Sequence, residues 1–370
     1  MVRRCDARLR GLPVVYSGLL GRHSGKLAVV ELALLWYNTH KWQAVATIDR
    51  GYISKFGYSG MGLLEKYDMD TFSDVKNRVI ARLGKPYYEN NTCLLFCVDT
   101  QEAHKELYGR LFDTIITSPP YNLGKEYEEN KTIPDYLDWC AQWIAGTSKL
   151  LKGNGAMLLN LGYISIDEKA RAIPLPYLLW ERVPMYLNQE IVWNYTAGVA
   201  CKNYLSPRNE KVLWYVNDKD CYTFNLDPIR DKNIKYPKSK RNGKPRVNSL
   251  GKNPSDVWEI AKVTTGKDRS SQERTAHPCQ FPTDLINRLV LGFTNEKDII
   301  LDPFMGSGTT FESCLRHNRC CVGFEILPEY CEIAKKRIIS VEMEMRYASA
   351  QIMLDLPLNR YEMESAYGSI

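Results

Sequence analysis

The feature that most constrains the fold is an alternation of short apolar runs and helical patterns that begins at Cys93. Strands separated by helices are typical of a parallel sheet with helices on its faces, so we expect an α/β fold. A chain of 370 residues also has room for a smaller module, because single cores stop growing near roughly 250 to 300 residues. The expected strands are Cys93 to Val98, Asp113 to Thr117, Ala156 to Leu161, Glu190 to Asn194, Lys211 to Val216, Ile299 to Leu301 and Cys321 to Phe324.

Two segments lie outside this alternation. Residues 1 to about 90 contain two expected helices, Gly25 to Tyr37 and Thr71 to Leu83, but no motif that we can connect with chemistry. The segment from Asp231 to Thr275 is polar and rich in Lys, Asn, Pro and Gly, with one short apolar island at Val257 to Ile260. We therefore expect a mostly helical N-terminal extension and an insertion that contributes nothing to the core.

The positive charge of the chain is clustered in this insertion. The chain has 49 basic and 43 acidic residues, and the stretch from Lys232 to Lys252 holds eight of the basic residues and no acid. Such a stretch suits contacts with DNA phosphates, although a solvated loop is the alternative for any single residue. Arg241 or Arg246 is a candidate for reading a guanine. The residues expected to bind DNA are Lys235, Lys238, Lys240, Arg241, Lys244 and Arg246.

Cysteine spacing and the length of apolar runs limit the environment of the protein. The eleven cysteines form no Cys-x-x-Cys pair and occur with only five histidines, which indicates neither a disulfide framework nor a metal site. The longest apolar run, Leu27 to Tyr37, is interrupted by Glu31 and is shorter than the roughly 20 residues of a membrane span. The basic start leads into no signal-peptide core. We expect a soluble, cytoplasmic protein.

A Ser-Pro-Pro-Tyr motif, Ser118 to Tyr121, follows the second expected strand. Pro119 and Pro120 hold the backbone extended and lack N–H donors, which leaves carbonyls free to point into a cleft at the carboxyl end of the sheet. An amino group conjugated to a base ring is a poor nucleophile, because its lone pair is delocalised. Ser118 Oγ and the Pro119 carbonyl would accept its two hydrogens and localise that pair, while Tyr121 offers a flat face for a base. An ordinary Pro-Pro turn with a buried tyrosine is the alternative.

A second motif, Leu301 to Thr310, passes from a strand end through small residues into a helix-forming stretch. Its glycines allow a ligand to approach the backbone closely at a helix N-terminus. Asp302 is placed to bind the ammonium of a methionine moiety, and the lysine of a triphosphate-binding GxxxxGK[ST] loop is missing. A tight strand-to-helix turn without a ligand is the alternative. The candidate ligand-binding residues of this motif are Asp302, Phe304, Gly306, Gly308 and Thr309.

Two further acids follow expected strands. Glu325 comes some 20 residues after the second motif, the spacing at which an acid binds ribose hydroxyls, and a solvated residue is the alternative. Asp99 could contact an adenine ring at the edge of the sheet. With Glu102 three residues further on, Asp99 also fits a helix capping box equally well.

Together, Ser118 to Tyr121 and Leu301 to Thr310 resemble the catalytic and cofactor motifs of the amino-methyltransferases of restriction-modification systems. The order of the two motifs is similar to that of the β class of this family. The segment HPCQFP, His277 to Pro282, lies where the family carries its HP-x-x-F-P element beside the methionine pocket. The resemblance spans about Cys93 to Ile339 and implies S-adenosylmethionine as the cofactor, with His277, Pro278 and Phe281 near it.

The resemblance also implies a fold and a division of the chain. The fold is the Rossmann-like S-adenosylmethionine-dependent methyltransferase fold, a mostly parallel seven-stranded sheet with a circularly permuted motif order. The chain would start at the third strand of the sheet, which carries Asp99, and finish with the cofactor-binding strands. The expected segments are an extension at 1–90, a catalytic half at 91–230, a target-recognition insertion at 231–275, a cofactor-binding half at 276–345 and a tail at 346–370.

Serine at position 118 resembles the members that methylate cytosine N4, whereas adenine enzymes more often carry Asp or Asn there. The expected function is therefore direct methyl transfer to a flipped-out cytosine at a specific site in duplex DNA, beside a restriction endonuclease that acts separately.

Pro278-Cys279 imitates the nucleophile of carbon-5 cytosine methyltransferases, but those enzymes carry the cofactor loop before it, so Cys279 is not expected to be catalytic. Adenine N6 is the nearest alternative. Methylation of structured RNA and a non-catalytic nucleic-acid-binding module are more distant ones.

Overall fold

The computed structural model describes side chains for residues 71–122, 124, 131–195, 200–263 and 273–348, and the backbone of 349–355 and of 14–23, 26–37 and 41–47. The chain divides into two compact units, Met1–Glu65 and Lys66–Ile370. Within the described residues, no helix combines the length and the apolar character needed to cross a membrane.

The N-terminal unit contains an antiparallel sheet of β1 (Val14–His23), β2 (Lys26–Tyr37) and β3 (Lys41–Thr47), in that order. The helix expected from Gly25 to Tyr37 is therefore wrong, as is a mostly helical character for this part of the chain. Periodicity alone cannot distinguish a buried helix from a strand in so apolar a run. Strand neighbours on both sides complete the hydrogen bonds of β2, with Leu34 opposite Val14 and Trp36 opposite Trp42.

The second expected helix is confirmed as α1 (Phe72–Leu83), and it belongs to the second unit. Thr71 and Asp74 form a capping box at its N-terminus, where each side chain bonds the backbone N–H of the other residue. Val75 and Val79, four residues apart, are fully buried, so one face of α1 packs on the core.

The second unit is built on a nine-stranded sheet in the order β14-β10-β11-β7-β6-β15-β16-β5-β4, with two separate hairpins, β8-β9 and β12-β13. All seven strands expected from the sequence belong to this sheet, and the short edge strands β4 and β14 extend it. The strands are β4 (Tyr88–Glu89), β5 (Cys93–Cys97), β6 (Phe112–Thr117), β7 (Leu151–Leu161), β8 (Tyr163–Ile166), β9 (Ala170–Pro174), β10 (Tyr186–Asn194), β11 (Asn209–Val216), β12 (Lys240–Arg241), β13 (Lys244–Pro245), β14 (Val257–Glu259), β15 (Ile299–Asp302) and β16 (Cys320–Glu325).

The centre of the sheet is parallel: β7, β6, β15, β16 and β5 are neighbours that run in one direction. β14 also pairs parallel with β10, whereas β11 is antiparallel to both β7 and β10, and β4 is antiparallel to β5. β5 and β6 come first in the chain, yet β15 and β16 complete the sheet between them. The mostly parallel sheet and its permuted order are therefore confirmed.

Helices cover both faces of the sheet. On β5, Leu94 and Phe96 belong to a core cluster with α1 to α4, whereas Cys93 and Leu95 belong to the cluster with α5 to α7. This alternation of side chains along a strand produces a three-layer α/β architecture. Besides α1, the helices are α2 (Thr100–Glu106), α3 (Ile133–Ser148), α4 (Leu175–Leu179), α5 (Thr283–Phe293), α6 (Thr309–Arg316) and α7 (Pro328–Asp355).

The basic segment forms an excursion that is closed at its base. Asp231 and Lys252 form an isolated antiparallel bridge, and their side chains form an ion pair with a distance of 3.0 Å. Between them β12 and β13 form a hairpin, in which the turn residues Asn242 and Gly243 have φ values of 51° and 75°. An Asn-Gly pair with positive φ is the preferred two-residue hairpin turn. All six basic residues expected to bind DNA are exposed.

One expectation about the insertion is wrong. Its apolar island forms the edge strand β14, and Trp258 is only 3% exposed in the core cluster of α5 to α7. The parallel pairing of β14 with β10 places this side chain against the sheet. The part of the insertion that forms β14 therefore belongs to the core.

Candidate active site

A cavity of about 550 Å³ lies where β5, β6, β15 and β16 end. The carboxyl ends of neighbouring parallel strands meet at one edge of a sheet, which brings motifs together that are distant in sequence. Gly308 does not line the cavity, but the other expected catalytic and cofactor-binding residues do: Ser118, Pro119, Pro120, Tyr121, Asp99, His277, Pro278, Phe281, Asp302, Phe304, Gly306, Thr309 and Glu325.

Ser118 and Tyr121 are joined through their hydroxyl oxygens, which lie 2.7 Å apart. The Tyr121 hydroxyl also donates to Glu210 Oε2 over 3.2 Å and accepts from Asn160 Nδ2 over 2.8 Å. Burial, and then the Glu210 carboxylate, raises the pKa of Tyr121 well above its ordinary value, so the phenol keeps its proton at neutral pH. Tyr121 lines the cavity, so it is not simply a core tyrosine beneath a turn.

The two proline carbonyls of the motif have different surroundings. The Tyr136 hydroxyl, on α3, donates to the Pro120 carbonyl over 2.7 Å. That bond fixes the second half of the motif against α3. The Pro119 carbonyl is therefore the better candidate for an acceptor of a substrate hydrogen, as the sequence predicts.

Sequence reasoning missed three polar residues beside this motif, Asn160 on β7, Glu210 on β11 and Lys262 after β14. Lys262 Nζ donates to Glu210 Oε1 over 2.7 Å, and it lies 3.9 Å from the centre of the Tyr195 ring. Burial lowers the pKa of Lys262, but Glu210 and Tyr195 outweigh this effect, and the net direction is upward. The signal for Asn160 was its position inside an apolar run. Nothing in the sequence joins Glu210 to Lys262.

Asp302 ends β15 and is only 2% exposed. Its Oδ1 accepts from Thr117 Oγ1 over 2.7 Å and from the Phe304 N–H over 3.1 Å, and its Oδ2 accepts from Thr310 Oγ1 over 2.6 Å. Burial raises the pKa of Asp302 to about 6, although these donors act in the opposite direction. A carboxylate has about four acceptor positions, so a position remains for a cationic ligand.

Glu325 ends β16 and is 8% exposed, so the alternative of a solvated residue is wrong. Its Oε2 accepts from the Gly306 N–H over 2.8 Å, and its Oε1 accepts from the Leu327 N–H over 3.0 Å. Burial raises the pKa of this carboxyl group as well. Gly306 has a φ of +52°, and a Cβ there would lie 3.0 Å from His277 Nε2, so the turn requires glycine.

Gly308 has a packing role that the sequence did not indicate. It caps the N-terminus of α6 with a φ of 80°, and an added Cβ would lie 2.9 Å from Ala334 Cα on α7. The backbone that approaches this glycine closely is that of a neighbouring helix. Its expected contact with a ligand stays a prediction.

The HPCQFP segment packs against α6 and α7. The His277 ring lies 4.4 Å from that of Tyr330 on α7, and Thr309 Oγ1 donates to the Phe281 carbonyl over 3.4 Å. Burial and the nearby Arg337 lower the pKa of His277 to about 4, so this ring is neutral at pH 7. Cys279 is an exposed residue of the same segment.

Asp99 caps a helix, as one of its two interpretations expects, although the Glu102 carboxylate accepts from Lys105 Nζ over 2.6 Å, and it has the position for the other interpretation. Its Oδ1 accepts from the backbone N–H of Gln101 over 2.8 Å and of Glu102 over 3.2 Å, which confirms that it caps α2. The same residue lines the cavity near the end of β5. Capping orients the carboxylate without removing it from the cavity wall.

The residues of the cavity fit S-adenosylmethionine, the cofactor that the resemblance implies. Asp302 and Glu325 end adjacent strands, and burial raises the pKa of both, so a cation beside the first and hydroxyl donors beside the second would stabilise them. Trp139 and Phe304, whose ring centres lie 5.8 Å apart, supply an apolar wall for a purine. Two buried carboxyl groups and an apolar wall are the features that the ammonium, the ribose diol and the purine of the cofactor would require.

The chain is similar to known DNA methyltransferases over most of its second unit. The chain matches the DNA methylase family over residues 112–336. The type II methyltransferase M.ScaI of Streptomyces caespitosus is 50% identical over 256 residues, which cover 69% of this chain and 84% of that protein. The DNA adenine methyltransferase YhdJ of Escherichia coli (strain K12) is 30% identical over 247 residues, which cover 63% of this chain and 78% of that protein.

A solved structure has a similar fold. The PvuII DNA methyltransferase (cytosine-N4-specific) aligns with a TM-score of 0.54 and 19% identity, over 68% of this chain and 88% of that chain. At this identity the likeness concerns the fold alone. The match over residues 112–336 includes the strands that carry Ser118, Asp302 and Glu325. The chain therefore belongs to the DNA methylase family, and it is a DNA methyltransferase that uses S-adenosylmethionine.

Proposed function

We propose that this enzyme methylates the exocyclic N4 amino group of cytosine at a specific site in duplex DNA, after the base has flipped out of the helix. One observation carries the proposal. Ser118 and Pro119 line the same cavity as the two buried acids, Asp302 and Glu325. A base amino group can therefore meet acceptors and a bound cofactor in the same space.

The residues of the motif have separate tasks in this proposal. Ser118 and Pro119 accept the two amino hydrogens, and Tyr121 stacks against the flipped base. S-adenosylmethionine supplies a methyl group already activated by its sulfonium, so transfer is direct. Orientation of this kind can lower a barrier by up to about 7 to 11 kcal/mol. Asp302 and Glu325 hold the cofactor, and Pro120 is fixed by Tyr136 so that the motif keeps its shape.

Cytosine is the proposed base because position 118 is serine, as in the cytosine-N4 enzymes that the motif resembles. Adenine N6 is the second candidate. It is favoured by the 30% identity with YhdJ of Escherichia coli, which is a DNA adenine methyltransferase. Both bases present an amino group conjugated to a ring, so the acceptors described above suit either.

The basic excursion between Asp231 and Lys252 is the proposed target-recognition element, within an insertion at 231–275. Its hairpin presents basic side chains to solvent around an Asn-Gly turn, while Lys252 is held at the base by Asp231. Phosphate contacts from lysines would set the register, and Arg241 or Arg246 would read a guanine. The residues proposed to bind DNA are Lys235, Lys238, Lys240, Arg241, Lys244 and Arg246.

The similarity to M.ScaI, a type II methyltransferase, supports a role in a type II restriction-modification system. In such a system the enzyme would protect host DNA from a separately acting restriction endonuclease. The remaining divisions, a catalytic half at 91–230 and a cofactor-binding half at 276–345, correspond to the positions of β6 and of β15 with β16.

The test is transfer of labelled methyl from S-adenosylmethionine to unmethylated duplex DNA, followed by nucleoside analysis of the product. Recovery of N4-methylcytosine supports the proposal, and N6-methyladenine would retain the site but change the base. Transfer to RNA alone, or to neither nucleic acid, would contradict it. Ser118→Ala serves as the control for chemistry at this site, because it should slow turnover severely to a measurable residual rate while it still binds the cofactor.

A further inference from the structure

Glu210 is a carboxylate that accepts hydrogen bonds from three side chains around the Ser118 motif. Its Oε2 accepts from Asn160 Nδ2 over 2.6 Å and from the Tyr121 hydroxyl over 3.2 Å, and its Oε1 accepts from Lys262 Nζ over 2.7 Å. Its side chain is only 12% exposed, and it lines the cavity. Three donors converge on this group, and none of them is an acid.

These contacts bear on the direction of the bond between Ser118 and Tyr121, whose hydroxyl oxygens lie 2.7 Å apart and of which either can donate. The Tyr121 oxygen accepts from Asn160 Nδ2, and its single proton has the Glu210 carboxylate and the Asn160 backbone carbonyl, each 3.2 Å away, as further acceptors. When Tyr121 donates to the Glu210 carboxylate it has no second proton for Ser118, and Ser118 is then the donor between the two hydroxyls.

The orientation of the Asn160 amide depends on the same carboxylate. Amide oxygen and nitrogen are assigned from their neighbours, and here the nitrogen faces two oxygens, of Glu210 and Tyr121. Among the described residues, Asn160 Oδ1 has no partner although it is buried. Glu210 and Tyr121 thus orient the side-chain amide of Asn160 through its nitrogen, and among the described residues no hydrogen bond to the side-chain oxygen Oδ1 contributes.

We infer that Glu210, held by Lys262, is a positioning residue that turns the Ser118 proton towards Tyr121, so that Ser118 Oγ presents its lone pairs to the target amino group. This inference rests on the proposed function, in which Ser118 must accept and not donate. Since Lys262 follows β14 at the end of the insertion, the ion pair also joins the target-recognition segment to the catalytic serine.

The test is a double-mutant cycle with Glu210→Gln and Ser118→Ala, measured as the single-turnover rate of methyl transfer to duplex DNA. Glutamine retains the size of Glu210, but it can present an N–H to Tyr121 and so reverse the chain of bonds. We expect Glu210→Gln to lower the rate by about tenfold or more alone, and by less than about twofold in the Ser118→Ala background, since residues in one network are not additive. Cofactor affinity, measured by calorimetric titration, should stay the same.

Two further variants keep the test decisive. Lys262→Met should reproduce part of the loss, and Tyr121→Phe should, like Ser118→Ala, abolish the effect of Glu210→Gln. Glu190→Gln is the matched control, because Glu190 on β10 pairs over 3.6 Å with Lys211 on β11, the strand that carries Glu210, but does not line the cavity. Equal losses from Glu210→Gln in both backgrounds, or full activity of Glu210→Gln, would overturn the inference. Failure of the proposed function is visible separately, as an absence of methylated nucleoside from the wild-type reaction.

Discussion

Thr117 Oγ1 donates a 2.7 Å hydrogen bond to Asp302 Oδ1, and this bond joins the last residue of the catalytic strand to the acid of the cofactor motif, 185 residues further along the chain. Both residues are buried. The bond exists because β6 and β15 are neighbours in the sheet, with Leu301 opposite Ile115. A buried carboxylate needs such donors, since charge without partners is costly in the interior.

Thr117→Val should therefore destabilise the protein by about 1.5 to 3 kcal/mol at pH 8, the range for a hydrogen bond to a charged group. The loss should be smaller at pH 5, where Asp302, with its pKa raised to about 6, is mostly protonated. Urea unfolding at the two pH values measures both effects. Thr114→Val is the control, because Thr114 is buried on the same strand but bonds the neutral Phe293 carbonyl over 3.5 Å. An equal, pH-independent loss in both variants would contradict the explanation.

Binding of the cofactor should weaken as the pH falls through about 6. Burial raises the pKa of Asp302 to about 6 in the free protein, and an ammonium group beside it must lower that pKa, so binding releases a proton. Affinity should be about tenfold lower at pH 5 than at pH 7, as one pKa unit corresponds to 1.36 kcal/mol. Calorimetric titration across this range measures the slope.

Asp302→Asn is the matching variant for this pH dependence. It should bind the cofactor weakly at every pH and show a much flatter profile, with the remainder due to the raised pKa of Glu325. A variant that kept the full slope would place the titrating group elsewhere. Unchanged affinity at pH 7 would refute Asp302 as the ammonium ligand.

Gly308→Ala should destabilise the protein through two separate effects. A φ of 80° is unfavourable for alanine, and the new Cβ would lie 2.9 Å from Ala334 Cα, where backbone must move. We expect a loss of roughly 2 to 5 kcal/mol in the free energy of unfolding. Gly243→Ala controls for strain alone, because Gly243 has a φ of +75° with open space around its Cβ. Similar losses in the two variants would exclude a packing role for Gly308.

Removal of the hairpin charges by Lys240→Ala, Arg241→Ala and Lys244→Ala together should weaken DNA binding at low salt. The slope of log affinity against log salt should fall by about 0.9 for each phosphate that the variant no longer neutralises. The control is Lys149→Ala with Lys219→Ala. These exposed lysines lie beside the start of β7, at the end of the parallel strands opposite to the cavity. A slope that fell equally in the control would show a general charge effect. Cofactor affinity should be unchanged in every variant.

Those parts of the fold that depend on local pattern were predictable from the sequence. The strands that carry Ser118, Asp302 and Glu325 are apolar runs with polar ends, and topology alone brings their ends together. The run from Gly25 to Tyr37 was misassigned because its pairing partners, not its own residues, decide between helix and strand. The packing role of Gly308 was not predictable because the helix that approaches it is distant in sequence.

The network around Ser118 could not be predicted from the sequence either, because its members are distant from one another along the chain. Asn160, Glu210 and Lys262 come from three separated segments. Asn160 and Glu210 meet Tyr121 because β11 lies beside β7, and Lys262 meets Glu210 because β14 follows β10 at the edge. Charged residues in a strand ordinarily face solvent, so nothing marked Glu210 as buried. The pairing of Glu210 with Lys262 is a property of strand order.

The bridge between Asp231 and Lys252 brings the two ends of the basic excursion together where they join the rest of the enzyme. Chain enters and leaves at adjacent points, so hairpins of other lengths and compositions can be joined there while the sheet, the cavity and Trp258 keep their places. In the proposed role of the excursion, exchange of the roughly twenty residues between these two points would change the DNA contacts and leave the residues of the cavity as they are.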